Sequence, residues 1–118
     1  MRIISGKFKT RLIKTPSNNS IRPTSDRARE MIFNTLNSLL IKDKKKITGQ
    51  AIIDCFCGTG ALGIEALSRG AEHVTFIDSS NELLNLCRKN CQELKIIQNV
   101  KIVKLDIIKD KFPKFKNK

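Results

Sequence analysis

Apolar residues in the second part of the chain are gathered in three short runs, at 51–53, 74–77 and 100–105. Short continuous apolar runs are typical of strands in a parallel sheet that is covered on both faces. Between these runs, over 61–69 and again over 83–94, apolar residues recur at helical spacing. This alternation of strands and helices predicts an α/β fold with a Rossmann-like parallel sheet.

Polar residues and glycines mark the predicted ends of these helices. Gly70 follows the first helix and suits its C-terminal cap. Ser79 and Glu82 have the spacing of a capping box for the second helix. The core-facing side of that second helix is predicted at Leu83, Leu86, Cys87 and Leu94. The elements therefore follow one another in the order of successive strand–helix units.

The first part of the chain has a different pattern. Over 2–14, basic residues alternate with other types, which predicts an extended segment folded into a hairpin that turns near Gly6. A helix follows, with Thr24 or Ser25 as its N-cap and Asp26 in its first turn. Its core-facing stripe is predicted at Ala28, Met31, Ile32, Thr35, Leu36 and Leu39.

Length and composition fit one small globular unit with an extension. The 118 residues are 40% hydrophobic and 29% charged, which suits a modest folded core. We assign 1–48 to a basic hairpin-and-helix extension and 49–118 to a Rossmann-like unit. No apolar stretch has membrane-spanning length and no signal-peptide layout is present, so we expect no membrane partner and a cytoplasmic location.

The link between the first strand of that unit and its helix is rich in glycine. Gly58, Gly60 and Gly63 have the spacing G-x-G-x-x-G. The first two allow backbone angles or close approaches that a side chain would block, and the third lets the helix pack tightly on the strand. A ligand can then meet free N–H groups at the helix N-terminus. Alone, the pattern fits a dinucleotide site as well, or a turn that binds nothing.

Asp54, four residues before the first glycine, separates these alternatives. A dinucleotide site must accept a pyrophosphate in the turn, and a carboxylate there would repel it. S-adenosylmethionine carries no phosphate, but it has an ammonium and a sulfonium that a nearby carboxylate attracts. We therefore expect S-adenosylmethionine as the cofactor, bound by Asp54 and by the turn residues Gly58, Thr59 and Gly60.

Two more acidic residues follow the second and third predicted strands. Asp78 lies twenty residues after Gly58, the spacing expected of a carboxylate that holds the two ribose hydroxyls. A helix-starting charge is the structural alternative, but the position after a strand favours the ribose role. Asp106 is placed to accept a hydrogen bond from an adenine amino group, and a plain turn aspartate is nearly as good an interpretation.

Positive charge is concentrated in the N-terminal part. Of the formal net charge of +12, residues 1–50 carry +9 and 51–118 carry +3. This layout suits a module that grips phosphates, whereas the lysines over 42–46 and 109–118 fit an ordinary solvated surface equally well. RNA contacts are predicted from Arg2, Lys7, Lys9, Arg11, Arg22, Arg27 and Arg29.

Three of these arginines, Arg22, Arg27 and Arg29, crowd the start of the first helix. Guanidinium groups so close together repel one another unless anions lie among them. Asp26 and Glu30 are the local candidates for that role. RNA phosphate is the competing partner, and the sequence leaves both open.

The four cysteines lack the usual spacing of a zinc site. Cys55 and Cys57 fall in the strand and the glycine turn, where ligand geometry would conflict with the fold, and Cys87 and Cys91 are one helical turn apart. Reduced cysteines packed in or near a core are favoured over zinc or a disulfide, so no metal is predicted. His73, the only histidine, receives no catalytic role.

Two blocks of sequence resemble bacterial 16S ribosomal RNA guanine-N2 methyltransferases. The first block comprises 2–7, 14–16, 22–30 and 33–36, and the second comprises 54–63 and 65–71. The resemblance covers 1 to about 106 in the right order. It implies that 1–48 is an RNA-contacting extension and that 49–118 is the N-terminal part of a Rossmann-like domain with an incomplete parallel sheet. It implies a class I methyltransferase that moves a methyl group from S-adenosylmethionine to the exocyclic N2 amine of one guanine. It also implies cofactor roles for Asp54, the glycine turn, Asp78 and Asp106, and RNA contacts for the hairpin and the Arg22 region.

One motif of that family is missing from these residues. Family members place an Asn/Asp-Pro-Pro-aromatic sequence after the fourth strand, where it accepts the amine hydrogens and stacks on the flipped-out base. Here the three prolines, Pro16, Pro23 and Pro113, are never adjacent. We therefore expect no catalytic residues in this chain and no activity from it alone, as in a truncated enzyme or one half of a split one.

The expected partner is ribosomal RNA or the assembling small ribosomal subunit. A C-terminal fragment that completes the enzyme is a further candidate partner, and no obligate oligomer is implied. A non-catalytic RNA-binding fragment is the main alternative function. A dinucleotide-dependent oxidoreductase is disfavoured by Asp54 and by the basic N-terminal part.

Overall fold

The computed structural model describes residues 1–16 and 25–109. Its helices and strands are α1 Asp26–Lys42, β1 Ala51–Cys55, α2 Ala61–Ser68, β2 His73–Asp78, α3 Asn81–Glu93 and β3 Val100–Lys104, with one 3₁₀ turn at Ile97–Asn99. The three strands form a single parallel sheet with β2 in the middle. The prediction of an α/β fold with a Rossmann-like open parallel sheet is confirmed.

The strand register sets the position of the site. β1 pairs with β2 from Ala51 opposite His73 to Cys55 opposite Ile77, which places Asp54 opposite Phe76. Asp78 is the last residue of β2. Because the strands are parallel, both acids lie at the same edge of the sheet, where the turns to α2 and α3 leave it.

The core lies between the sheet and the two helices that follow β1 and β2. Val74 and Phe76 of β2 are fully buried and belong to one cluster with residues of α2 and α3. Ile3, Ile13 and Phe33, from the N-terminal part, belong to the same cluster. Apolar packing therefore connects the basic extension to the sheet without a break in the core.

β1 is less covered than its sequence predicts. Ile53 is 46% exposed, and Ala51 and Cys55 on the same face are exposed as well. The expectation of burial on both faces is wrong for β1 because it pairs with β2 alone among the described strands. It holds for β2, which has a neighbour on each side and is buried from Val74 to Ile77.

α1 turns a different side to the core from the one predicted. Ser25 is its N-cap, as predicted, and its Oγ accepts a hydrogen bond from Ala28 N at 3.1 Å. The buried residues are Arg29 and Phe33, with Leu36 and Leu40 half-buried beside them. Met31, Ile32 and Leu39 of the predicted stripe are exposed. Thr35 is exposed too, whereas Ala28 and Leu36 of the stripe are half-buried, so the prediction is wrong for four of its six residues. The buried ion pair of Arg29 with Glu65, which a hydrophobicity pattern does not reveal, lies on the buried side of the helix.

Residues 1–16, called here the N-terminal ribbon, are not a regular hairpin. One antiparallel bridge joins Arg2 and Leu12, supported by the bond from Ile13 N to Met1 O at 2.8 Å. The chain between them turns near Gly6, as predicted, where Lys9 N donates to Gly6 O at 3.2 Å, and this turn lies over α2. At Gly6, with φ +88°, a Cβ atom would lie 1.9 Å from the carbonyl oxygen of Ser68. Contact with α2 therefore shapes the loop.

The ends of α2 and α3 follow the predicted signals with one shift. Gly70, with φ +117°, directly follows the α2 cap residue Arg69, as predicted. α3 is capped by Ser80, whose Oγ accepts from Leu83 N, and not by Ser79. On α3 the buried face includes Leu84, Asn90 and Cys91, whereas Leu86 is only half-buried. Within the described ranges, no helix has the length and apolar character needed to span a membrane.

Candidate functional site

The turn between β1 and α2 is built from left-handed backbone. Gly58 and Gly60 have φ values of +56° and +91°, and Phe56 has φ +58° despite its side chain. Left-handed angles cost a residue other than glycine about 1–2 kcal/mol. The first two glycines therefore have the role predicted for them, and Phe56, 67% exposed, adopts an unfavourable angle at the mouth of the turn.

Two of the glycines also let elements approach closely. A Cβ atom at Gly63 would lie 2.3 Å from Cε1 of Phe76, and one at Gly60 would lie 2.8 Å from Sγ of Cys87. α2 thus packs directly on β2 at Gly63, as the sequence predicts. The close approach fixes the height of the helix N-terminus above the sheet.

Asp54 caps the first turn of α2 from a neighbouring strand. Its Oδ2 accepts a hydrogen bond from Gly63 N at 3.0 Å, and the side chain is buried. The N-cap residue of α2, Gly60, has no side chain to do this. The carboxylate therefore stabilises a helix N-terminus whose positive end favours negative charge. One of the N–H groups expected to be free for a ligand is already occupied.

Burial raises the pKa of Asp54 from 3.8 to about 6. The hydrogen bond from Gly63 N lowers the pKa, and repulsion from Asp78 raises it further. A carboxylate held in this way gains from any cation that approaches it, because the cation offsets the cost of the buried charge. The site is therefore chemically prepared for a positively charged ligand group.

Asp78 connects the end of β2 to the glycine turn. Its Oδ2 accepts from Gly58 N at 2.9 Å, and its Oδ1 accepts from Ser80 N at 3.0 Å. The carboxylate is half-buried, so it fixes the turn and still faces the edge of the sheet. Its structural role and the predicted ribose role use the same side chain.

Asp106 lies two residues beyond the end of β3. Its Oδ1 accepts from Ile108 N at 3.1 Å and from Lys109 N at 3.3 Å. This is the turn role that the sequence left open. Both bonds use one oxygen of the carboxylate, and contact with adenine stays a prediction.

The predicted RNA-binding residues fall into three groups. Arg2, Lys7, Lys9, Arg11 and Arg27 have exposed side chains. Arg22 lies outside the described residues. Arg29 is fully buried, so its predicted contact with RNA is wrong. Four of the exposed residues, Arg2, Lys7, Lys9 and Arg11, belong to the N-terminal ribbon.

Arg29 belongs to a buried polar cluster that the sequence did not reveal. Its guanidinium donates to Glu65 Oε1 at 3.3 Å, to Asp26 Oδ1 at 2.5 Å and to the carbonyl oxygen of Arg2 at 2.8 Å. Glu65, fully buried on α2, also accepts from Arg69 Nε at 2.9 Å. Of the two local acids considered for the arginine cluster, Asp26 serves, and the second partner comes from α2 instead of Glu30.

Glu65 and Asn90 hold the backbone of the N-terminal ribbon. Glu65 accepts from Ile4 N at 2.9 Å and from Ser5 N at 3.0 Å. Asn90 of α3 accepts from Lys14 N at 2.8 Å. Sequence analysis missed both residues. A polar residue one turn after Cys87, on the apolar side of α3, was the available signal for Asn90.

The cysteines are all unpaired in the described structure. Cys57, Cys87 and Cys91 are buried, as the core interpretation predicts, whereas Cys55 is exposed on the uncovered side of β1. Neighbouring thiols and burial raise the pKa of Cys87 well above its usual range. The Cys87 thiol is therefore protonated, and the three buried cysteines pack as small apolar groups in the core.

A protein-family model described as conserved hypothetical protein 95 matches residues 1–117. Over 95 residues the chain is 38% identical to the ribosomal RNA small subunit methyltransferase D of Escherichia coli (strain K12), covering 80% of this chain and 44% of that protein. It is 36% identical over 106 residues to the putative rRNA methyltransferase YlbH of Bacillus subtilis, covering 90% of this chain and 54% of that protein.

The fold has a counterpart among solved structures. The putative methyltransferase yhhF from Escherichia coli matches with a TM-score of 0.73 and 34% sequence identity, over 90% of this chain and 52% of that one. The chain thus spans about half the length of the curated relatives and the solved structure that it matches.

Proposed function

The chain belongs to the conserved hypothetical protein 95 family, and on that premise we propose that it forms the cofactor-binding and RNA-contacting part of an S-adenosylmethionine-dependent ribosomal RNA methyltransferase. One observation carries the proposal. The acids that end β1 and β2 both bond to the turn before α2, Asp78 at Gly58 N and Asp54 at Gly63 N. This arrangement brings two carboxylates to a glycine turn.

Each acid has a role toward the cofactor in this proposal. Asp54 offsets the positive charge of the ammonium and sulfonium, and Asp78 accepts hydrogen bonds from the ribose hydroxyls. Gly58 and Gly60 have no side chain to block the approach of the ligand to the turn, and Thr59 lies between them. Asp106, two residues beyond the end of β3, accepts a hydrogen bond from the adenine amino group in this proposal. The cofactor supplies the methyl group on its sulfonium.

The exposed cations of the N-terminal part supply the contact with RNA in this proposal. Arg2, Lys7, Lys9, Arg11 and Arg27 would meet backbone phosphates, and Arg22 keeps its predicted role. Arg29 is left out because it is buried and paired with Glu65. Phosphate contacts of this kind position an RNA without reading its sequence. The cytoplasmic location expected from the sequence belongs to the same proposal, because ribosomal RNA must be met there.

The finer target, the N2 amine of a guanine in 16S ribosomal RNA, rests on the family resemblance. The lone pair of that amine is delocalised into the ring, so transfer needs groups that accept its hydrogens and hold the base in line with the sulfonium. None of the 118 residues forms the Asn/Asp-Pro-Pro-aromatic motif that does this in the family. We therefore expect this chain to bind cofactor and RNA but to transfer no methyl group unless a fragment carrying that motif is added.

Calorimetric titration of the 118-residue chain with S-adenosylmethionine tests the cofactor part. We expect binding that Asp78→Ala and Asp78→Asn weaken at least tenfold, whereas Glu72→Ala, which removes an exposed acid before β2, leaves it unchanged. Circular dichroism establishes that each variant is folded. A folded wild-type chain that binds no S-adenosylmethionine overturns the proposal, and salt-dependent RNA binding by that same chain would favour the non-catalytic RNA-binding fragment.

A further inference from the structure

Among the described residues, Asn90 has a side chain that hydrogen-bonds both to the glycine turn and to the N-terminal ribbon. It lies on α3 and is 1% exposed. Its Oδ1 accepts from Lys14 N at 2.8 Å, and its Nδ2 donates to Lys14 O at 3.1 Å and to Thr59 O at 3.0 Å. Both hydrogens of the amide and one lone pair of its oxygen are therefore used by protein partners.

The two bonds to Lys14 fix the backbone of the N-terminal ribbon. They engage the N–H and the C=O of the same residue, as a neighbouring strand would in a sheet. A second attachment lies close by, where Lys14 Nζ pairs with Glu93 Oε1 at 2.7 Å and Arg11 donates to the carbonyl oxygen of Glu93 at 3.4 Å. The returning arm of the ribbon therefore lies along the C-terminal half of α3, with Asn90 as its buried attachment.

The third bond of Asn90 fixes the glycine turn at its centre. Thr59 stands between Gly58 and Gly60, whose left-handed angles make this stretch of backbone adaptable. Asp78 holds the N–H of Gly58, and Asn90 holds the carbonyl group of Thr59. A shift of the turn large enough to break the bond between Asn90 and Thr59 would leave a buried amide or carbonyl group without its partner, and so would such a shift of Lys14.

We propose that Asn90 is a positioning residue that couples cofactor binding to RNA binding. Occupation of the glycine turn by S-adenosylmethionine fixes the Thr59 carbonyl group, hence the Asn90 amide, and hence the arm of the ribbon at Lys14. RNA that holds the ribbon acts on the turn in the opposite direction, since coupling between two ligands is reciprocal. This inference rests on the proposed function, because it requires both ligands to bind where that function places them.

The coupling is measured with S-adenosylhomocysteine, which has no methyl group to transfer, and a transcript of small-subunit ribosomal RNA. In the wild-type chain, saturating transcript should tighten S-adenosylhomocysteine binding by at least about fivefold, the lower end of typical coupling between sites. We call the affinity for S-adenosylhomocysteine with transcript, divided by the affinity without it, the coupling ratio. In Asn90→Ala the coupling ratio should fall to about one. Asn85→Ala, the same substitution at an exposed position of α3, should keep the wild-type ratio.

The outcomes separate this inference from the function beneath it. A folded wild-type chain that fails to bind either ligand overturns the proposed function, and the coupling falls with it. If the wild-type chain binds both ligands but transcript leaves the affinity for S-adenosylhomocysteine unchanged, the coupling alone is refuted. The same holds if transcript tightens S-adenosylhomocysteine binding in Asn90→Ala as much as in the wild type. If Asn90 only supported the fold, Asn90→Ala would weaken the binding of both ligands, but saturating transcript would still tighten S-adenosylhomocysteine binding by the wild-type factor.

A second measurement needs no variant and decides the matter if Asn90→Ala does not fold. S-adenosylhomocysteine should slow hydrogen exchange of the Lys14 amide in the wild-type chain at least tenfold. The amide of Lys9, which bonds to Gly6 O inside the ribbon and not to Asn90, should change little. Equal slowing at both amides, or none at Lys14 with the ligand bound, refutes the coupling.

Discussion

The N-terminal ribbon and the β1–α2–β2 unit are held in place by different kinds of interaction. The unit is assembled from apolar contacts and a parallel ladder, with fully buried Val74 and Phe76 against α2. The ribbon buries only Ile3 and Ile13 completely and has a single bridge of its own. The amides of Ile3, Lys9, Thr10, Arg11 and Ile13 bond within the ribbon. Four others, at Ile4, Ser5, Phe8 and Lys14, are bound by the polar side chains of Glu65, Ser68 and Asn90 on the helices beneath it.

This difference determines how each region responds to change. Apolar packing is not directional, so a substitution in the β1–α2–β2 unit destabilises it through the cavity it leaves or the strain it introduces. The ribbon depends on a few directional bonds, and loss of one acceptor leaves several donors without partners. Polar attachment places the cations of the ribbon accurately while adding little apolar surface beside them.

The largest effect is expected from Glu65→Ala, which removes the acceptor of four donors. The change removes the buried counter-charge of the Arg29 guanidinium. Breaking a buried ion pair in this way costs about 3–5 kcal/mol of stability. Urea unfolding followed by circular dichroism should show the loss. Glu93→Ala, which removes a half-exposed partner of Lys14, should cost about 0–1 kcal/mol.

Hydrogen exchange sharpens the result for Glu65→Ala. The amides of Ile4 and Ser5, bonded directly to Glu65, should lose protection before those of β2. Equal loss of protection in β2 would mean that the ribbon and the unit unfold together, and the contrast between them would then be wrong.

Gly63→Ala should destabilise the β1–α2–β2 unit and not the N-terminal ribbon. Its new Cβ atom would meet Cε1 of Phe76 at 2.3 Å and Cγ1 of Val74 at 2.8 Å, and neither ring nor β-branched side chain can swing aside in a packed core. We expect a loss of about 3 kcal/mol, the upper end of the range for overpacking. In a double-mutant cycle with Phe76→Leu, the two losses should sum to more than the loss in the double variant. Strict additivity would contradict the steric explanation.

The smallest expected effect is the dependence of stability on the ionisation of Asp54. Since the pKa is raised from 3.8 to about 6, the folded protein keeps a proton in this interval that the unfolded chain releases. The free energy of unfolding should therefore fall as pH rises from about 4 to about 6 and stay low above it. Asp54→Asn removes this contribution and should be more stable than the wild type at pH 7, by on the order of 2 kcal/mol.

Asp54→Asn also tests whether the ionised carboxylate of Asp54 strengthens cofactor binding. S-adenosylmethionine should bind the wild-type chain more tightly as pH rises through about 6, because the ionised carboxylate attracts its positive groups. Asn at this position should flatten the profile and weaken binding. A variant that is less stable at pH 7 and shows an unchanged binding profile would mean that Asp54 serves only as the cap of α2.

The sequence by itself was enough for the strands, the helices α2 and α3 and the glycine turn. Apolar runs and glycine spacing are local signals, and Gly58, Gly60 and Gly63 are required by backbone angles and close contacts that depend on near neighbours. The order of strands and acids along the chain was sufficient to place Asp54 and Asp78 at one edge, since parallel strands end together.

Only the tertiary structure decided which face of α1 is buried, what Arg29 does and which residues hold the ribbon. Each depends on a partner distant in sequence: Glu65 lies 36 residues from Arg29, and Asn90 lies 76 residues from Lys14. A charged side chain in a helix pattern indicates solvent unless its buried counter-charge is known. The sequence therefore determined where the cofactor turn lies, and long-range polar contacts decided how the basic ribbon is attached to it.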